Sequence, residues 1–132
     1  MEKLEIERVE NYLKKMTQRD NIELRQLPGD TAEVFLGDEL IATVLRDEED
    51  GDLSYQFQMK IDAPDIAKTE TYLKDLFQRD NVDVRQLPKK DDTAEVYLGE
   101  EFIATLYNDL ENGKIMHQFQ MCILDFDLDE EA

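Results

Sequence analysis

The chain has little of the equipment that catalysis usually draws on. Its 132 residues hold one histidine, one cysteine, five glycines, three prolines and no tryptophan. Ser54 is its single serine. A nucleophilic triad needs a serine or cysteine beside a histidine or lysine base. Zinc sites draw cysteine and histidine in groups of three or four, and phosphate cradles need clustered glycines, whereas the glycines here stand singly at turns. The lone Cys122 permits no internal disulfide and fits a reducing cytosol. No apolar run nears the roughly 18 residues of a membrane span. The opening Met1-Glu2-Lys3-Leu4-Glu5 reads as charged helix rather than as a signal peptide. These shortages argue against an enzyme, a cofactor and a resident metal.

Cations are scarce as well. Fifteen Lys and Arg face 33 Asp and Glu, a formal net charge of −18 with an isoelectric point near 4.2. Such a field repels nucleic acid and anionic membranes and favours cationic partners. It also serves as an ordinary soluble surface. Hydrophobic residues make up 41% of the chain, with five Tyr and six Phe, too many for a disordered polymer. A chain of this length can bury one core of its own.

What is present is present twice. Thr31–Thr43 returns as Thr93–Thr105, and each copy ends in Gln-Phe-Gln-Met, at Gln56–Met59 and Gln118–Met121. Residues 12–28 match 72–88 at 11 of 17 positions, and residues 31–61 match 93–123 at 18 of 31, so one unit has been duplicated. The domains read as a first repeat over 1–62 and a second over 63–132 that ends in an acidic tail. The copies differ in length only after the proline, where Lys89–Asp92 replaces Gly29-Asp30, and an insertion there reads as a surface loop.

Each repeat reads as a helix followed by four strands. Leu4, Ile6, Val9, Tyr12, Leu13 and Met16 fall on one helical side, as do Ile66, Tyr72, Leu73, Leu76 and Phe77. Asp62-Ala63-Pro64-Asp65 supplies a start for the second helix. Gln18–Asn21 and Gln78–Asn81 end the helices, with asparagine suited to the left-handed position. Short strands run over 22–27 and 82–87. The next hairpins turn at Gly37-Asp38 and Gly99-Glu100, and the last at Asp50-Gly51 and Asn112-Gly113. Connections this short make an antiparallel meander. The turns predict Val34 opposite Ile41, Phe35 opposite Leu40, Val44 opposite Phe57 and Leu45 opposite Gln56. One face then gathers Phe35, Leu40, Ala42, Val44, Tyr55, Phe57 and Met59. The other gathers Val34, Leu36, Ile41, Thr43, Leu45, Gln56 and Gln58. Neither face is polar enough for water, and each repeat has one helix. The second face is therefore expected to be covered by the other repeat. The fold class is α+β, two tandem α-β-β-β-β repeats packed as a pseudo-twofold dimer.

The chemistry-bearing residues read mostly as structure. His117 fills the place of Tyr55, Cys122 replaces Lys60, and Met116 replaces Ser54. The acidic loop Asp47–Asp52 reads as a solvated hairpin, with a weak cation site as the lesser reading. The tail Asp125–Glu131 reads as a fraying terminus, or as a short motif that clips onto a groove. The polar pattern that recurs is Arg25, Gln26, Gln56 and Gln58 with Arg85, Gln86, Gln118 and Gln120. Glutamines at alternate strand positions face one way and can offer amides to a partner, or join the two repeats. The partner-binding candidates are Arg25, Gln56, Gln58, Arg85, Gln118 and Gln120.

The early Tyr72-Leu73, Lys89–Asp92, Glu95–Ile103 and Gln118–Asp125 together resemble a small bacterial family, domain of unknown function family 3126. The second repeat resembles it most closely. The first lacks the lysine pair and ends Lys60-Ile61-Asp62. The resemblance implies a bacterial, cytoplasmic setting and no defined activity, and it carries over no catalytic residue. The expected function is a small acidic protein-interaction module, adaptor- or chaperone-like and without catalysis. Its expected partner is another protein, with a basic surface as one possibility, and neither nucleic acid nor membrane. The alternative is a nucleic-acid mimic whose carboxylates stand in for phosphates on a DNA- or RNA-binding protein.

Overall fold

A computed structural model describes residues 1–49, 51–63, 65–111 and 113–129. The first helix, α1, spans Lys3–Thr17. Its amphipathic spacing buries Val9, Leu13 and Thr17. Thr17 tolerates burial because its hydroxyl donates to the Leu13 carbonyl at 2.7 Å. The Glu2 backbone N–H donates to the Glu5 carboxylate at 2.9 Å, which satisfies a group that the first turn leaves open. The helix ends at Gln18, which takes the left-handed conformation at φ 53° while Arg19 N–H donates back to the Lys14 carbonyl. Gln78 does the same at φ 52° in the second repeat. Asparagine was expected there. Asn21 and Asn81 instead accept from Gly37 and Gly99, and so tie each helix exit to a hairpin turn.

Four strands follow: β1 (Ile22–Gln26), β2 (Thr31–Leu36), β3 (Glu39–Glu49) and β4 (Asp52–Ile61). The second repeat gives α2 (Ile66–Phe77), β5 (Val82–Leu87), β6 (Lys90–Leu98), β7 (Glu101–Glu111) and β8 (Lys114–Leu124), and a short α3 (Asp125–Asp129) closes the described chain. The fold is α+β, each repeat a helix followed by four antiparallel strands. Asp65 caps α2, its carboxylate accepting from Lys68 N–H at 2.8 Å. The proline of the expected start, Pro64, lies outside the described residues. So do Asp50 and Asn112 of the last hairpins, whose flanking pairs Glu49–Asp52 and Glu111–Lys114 enclose two-residue connections. The insertion at Lys89–Asp92 lengthens a strand rather than a loop. Leu87 pairs with Lys90 across a two-residue turn, and Lys90–Asp92 join β6.

The register departs from expectation at one place in each repeat. Phe35 lies opposite Leu40, as the turn dictates, but Val34 lies opposite Ala42, so Ile41 is an extra residue in β3. Tyr97 opposite Phe102 and Val96 opposite Ala104 repeat this bulge. A bulge restores the alternation that the core needs. Val34 turns inward beside Ala42 and Val44, while Phe35 and Leu40 move to the other face.

The chain divides into two compact units, Met1–Gln58 with Cys122–Ala132, and Met59–Met121. In the first, α1 packs on β1 and covers a core that includes Val9, Leu13, Val34, Val44, Tyr55 and Phe57. Leu128 of α3 is buried in this unit, which overturns the expectation of a fraying tail over residues 125–129, while Glu130 and Glu131 lie outside the described residues. The Leu124 N–H donates to Asp127 at 3.1 Å, and Arg8 lies 3.5 Å from Asp125. In the second unit α2 packs on β5 over Leu73, Phe77, Val96, Leu106 and Phe119. The Phe77 and Phe119 rings meet tilted at 6.0 Å.

The second sheet face is open. Leu40 is 51% and Leu45 37% exposed in the first unit, and Phe102 51% and Tyr107 43% in the second. These residues, expected to be covered, stand exposed.

Candidate functional site

The helix-free face of the first unit is built in rows across the strands. Strand alternation points Thr43 and Leu45 of β3 and Gln56 and Gln58 of β4 away from α1. The register sets Arg25 opposite Glu33, Glu33 opposite Thr43 and Thr43 opposite Gln58. A second row runs Thr31, Leu45, Gln56. The second unit repeats both, as Arg85, Glu95, Thr105, Gln120 and as Thr93, Tyr107, Gln118. All six partner-binding candidates thus stand on this face of their own unit. Gln26 and Gln86 do not. They follow Leu24 and Val84 in the alternation, and the Gln86 amide donates to the Thr93 carbonyl at 3.0 Å.

The arginines are held in place. The Arg25 guanidinium lies 3.9 Å above the Phe35 ring and its Nε donates to Glu23 at 2.8 Å. Arg85 lies 4.0 Å above Tyr97 and donates to Asp83 at 2.8 Å. That bond to Asp83 raises the Arg85 pKa. The ring fixes the plane of each guanidinium and the neighbouring acid fixes its roll. Gln56 reaches Ser54 Oγ and Cys122 Sγ, each at 3.5 Å. Cys122 is exposed on this face.

The helix-covered side holds a polar cluster that the sequence reading did not anticipate. Tyr55 is buried and its hydroxyl donates to Glu5 Oε2 at 2.6 Å, while Arg46 Nε donates to the same oxygen at 2.7 Å. Burial alone would push the Glu5 carboxyl up. The Glu2 amide, the Tyr55 hydroxyl and the Arg46 guanidinium outweigh it and hold the group at about 2. Burial, then the bond to Glu5, pushes the Tyr55 hydroxyl up, and the bond to Glu5 raises Arg46. The matching positions of the second repeat are Asp65, Asn108 and His117. His117 is buried, with Nδ1 3.0 Å from the Ala63 carbonyl and 3.2 Å from Thr69 Oγ1. A carbonyl only accepts, so Nδ1 carries the proton. The Thr69 hydroxyl in turn donates to the Asp65 carbonyl at 3.0 Å. Both clusters tie a helix start to the last strand of the repeat. The alignment shows the three positions differing between the copies, as Glu5, Arg46 and Tyr55 against Asp65, Asn108 and His117.

Among the described residues, no group of three or more His, Cys, Asp or Glu is placed to hold a metal ion. No described helix is long and apolar enough to cross a membrane. A shallow depression lined by Lys14, Lys15, Gln18, Arg19 and Asp20 marks the exit of α1. Lys14 there pairs with Glu10 at 3.7 Å.

A helix and a four-stranded antiparallel meander, written twice in tandem, define a duplicated α+β domain. The chain belongs to the family described as "Protein of unknown function (DUF3126)", whose model matches it twice, over residues 5–64 and 65–127. No curated protein and no solved structure is significantly similar to it.

Proposed function

We propose that this protein is a small acidic interaction module, adaptor- or chaperone-like, that binds another protein through the helix-free faces of its two units and performs no catalysis. The observation that carries the reading is the exposure of Leu40, Leu45, Phe102 and Tyr107 on those faces, where each unit leaves half-covered apolar side chains among glutamine, threonine and glutamate. Exposed apolar side chains set among polar ones supply the apolar centre and polar rim that make up the ordinary anatomy of an interface. The setting that suits it is the reducing cytoplasm.

The nucleic-acid mimic is favoured by the net charge of −18. The two readings separate by salt. Capture of partners from a bacterial lysate, followed by a 0.5 M NaCl wash, is compared between the wild type and the double variant Leu40→Asp, Phe102→Asp. The module reading expects clients that survive the wash and are lost with the double variant. DNA- or RNA-binding proteins that leave at high salt and ignore the double variant would support the mimic instead.

A further inference from the structure

The open face of the first unit carries a charge pattern as well as apolar surface. Leu40 and Leu45 are its exposed apolar side chains, and the Phe35 ring opposite Leu40 lies under the Arg25 guanidinium. The acids that share it are Glu33, Asp47 and Glu49, by strand alternation from Thr43 and Leu45. Asp52 lies opposite Glu49 at its far end. Arg25 on this face is already engaged by Glu23 at 2.8 Å. The face therefore presents an apolar strip with an acidic margin, and the chain around it adds to the negative field.

Three kinds of occupant can be weighed on these observations. A second copy would bring another −18 and a like-charged face against this one, which repulsion opposes. An anionic membrane is excluded by the same sign. A cationic partner is attracted. Its shape follows from the sheet. Four strands at about 4.8 Å spacing make a surface wide enough for one helix of about 10 Å diameter, and α1 already covers the opposite face of the same strands in that way. A second helix would complete the layered arrangement in which a sheet buries both faces.

We propose that the open face of the first unit docks a cationic amphipathic helix of a partner protein. The apolar stripe of that helix covers Leu40 and Leu45, and its lysines or arginines meet Glu33, Asp47 and Glu49. This inference rests on the interaction-module reading and gives its partner a chemistry.

The test uses the full chain and a synthetic 18-residue helix with leucine and alanine on one side and lysine on the other, labelled for fluorescence anisotropy at 0.15 M NaCl. A second probe carries glutamate in place of lysine. Saturable binding of the lysine probe is expected, weakened at least tenfold by Leu45→Asp. That variant adds negative charge, so attraction by charge alone would hold or tighten binding, and such a result overturns the proposal. Leu40→Asp is the companion variant, and an unchanged circular-dichroism melt shows that each variant is folded. Equal binding of the glutamate probe, lost in Leu45→Asp, overturns the cationic partner while leaving the module reading in place. Failure of the lysine probe to saturate below millimolar concentration also overturns the proposal, and the module reading then stands or falls on the capture experiment.

Discussion

Replacing Glu5 by glutamine removes the carboxylate on which Arg46, Tyr55 and the Glu2 amide converge. The folded-state pKa of Glu5, about 2, lies below its usual 4.5. A depressed carboxyl contributes stability that is fully present above the unfolded value and is lost as pH falls through the folded one. That contribution comes from the bonds to Arg46, Tyr55 and the Glu2 amide. Wild type is therefore expected to lose stability between pH 5 and pH 2 more steeply than Glu5→Gln in urea titrations at each pH. Parallel curves would remove Glu5 from the account. At His117, replacement by phenylalanine keeps the ring but leaves the Ala63 carbonyl without its donor. A cost of about 1–3 kcal/mol is expected from urea unfolding, and no cost would mean that the buried bond contributes nothing. The space-filling role of His117 was legible from its alignment with Tyr55. The Glu5 cluster was not, because its members stand 41 and 50 residues apart and only packing brings them together.

Elements defined by local chemistry were readable, and those defined by competition were not. Gly37 takes φ 62° as the first residue of its turn, and the pair Leu36–Glu39 closes around it as the sequence implies. The bulge at Ile41 was hidden, since the turn and the core demand different registers and only burial of Val34 with Ala42 decides between them. The helix ends show the same limit, because Gln18 takes a position for which Asn21 is the better local candidate. The α3 segment was misread as a loose acidic end because one buried leucine outweighs its charge. Leu128→Ala is expected to cost about 2–4 kcal/mol in urea unfolding, and a change under 0.5 kcal/mol would return the tail to a frayed state. Strand β5 pairs only with β6 among the described pairings and carries a guard on its open side. Val84 N–H of β5 donates to Glu70 at 2.9 Å, a carboxylate that shields an edge from strand addition. Hydrogen exchange at the Val84 amide is expected to quicken severalfold in Glu70→Ala, and an unchanged rate would show that the carboxylate gives no protection.

At the scale of the whole molecule, charge and shape act on different observables. A net charge of −18 repels itself in the compact state, so the melting temperature is expected to rise by several degrees between 10 mM and 0.3 M NaCl. No rise would mean that the acids are spaced too widely to matter. Duplication of the unit was legible from the repeat alone, and so was the number of strands. The open faces were not, because a pattern of two apolar faces looks the same whether the second is buried or kept for a partner. Leu45 and Tyr107 hold matching places on those faces, and each is more than a third exposed. The central claim is that binding occurs there. The most direct test is chemical-shift mapping of the isotope-labelled chain titrated with the lysine-bearing helix. The account expects saturating shifts at Leu40, Thr43, Leu45, Gln56 and Gln58, with the α1 amides little changed. Shifts spread over acidic residues of every element, with none concentrated on that face, would contradict it.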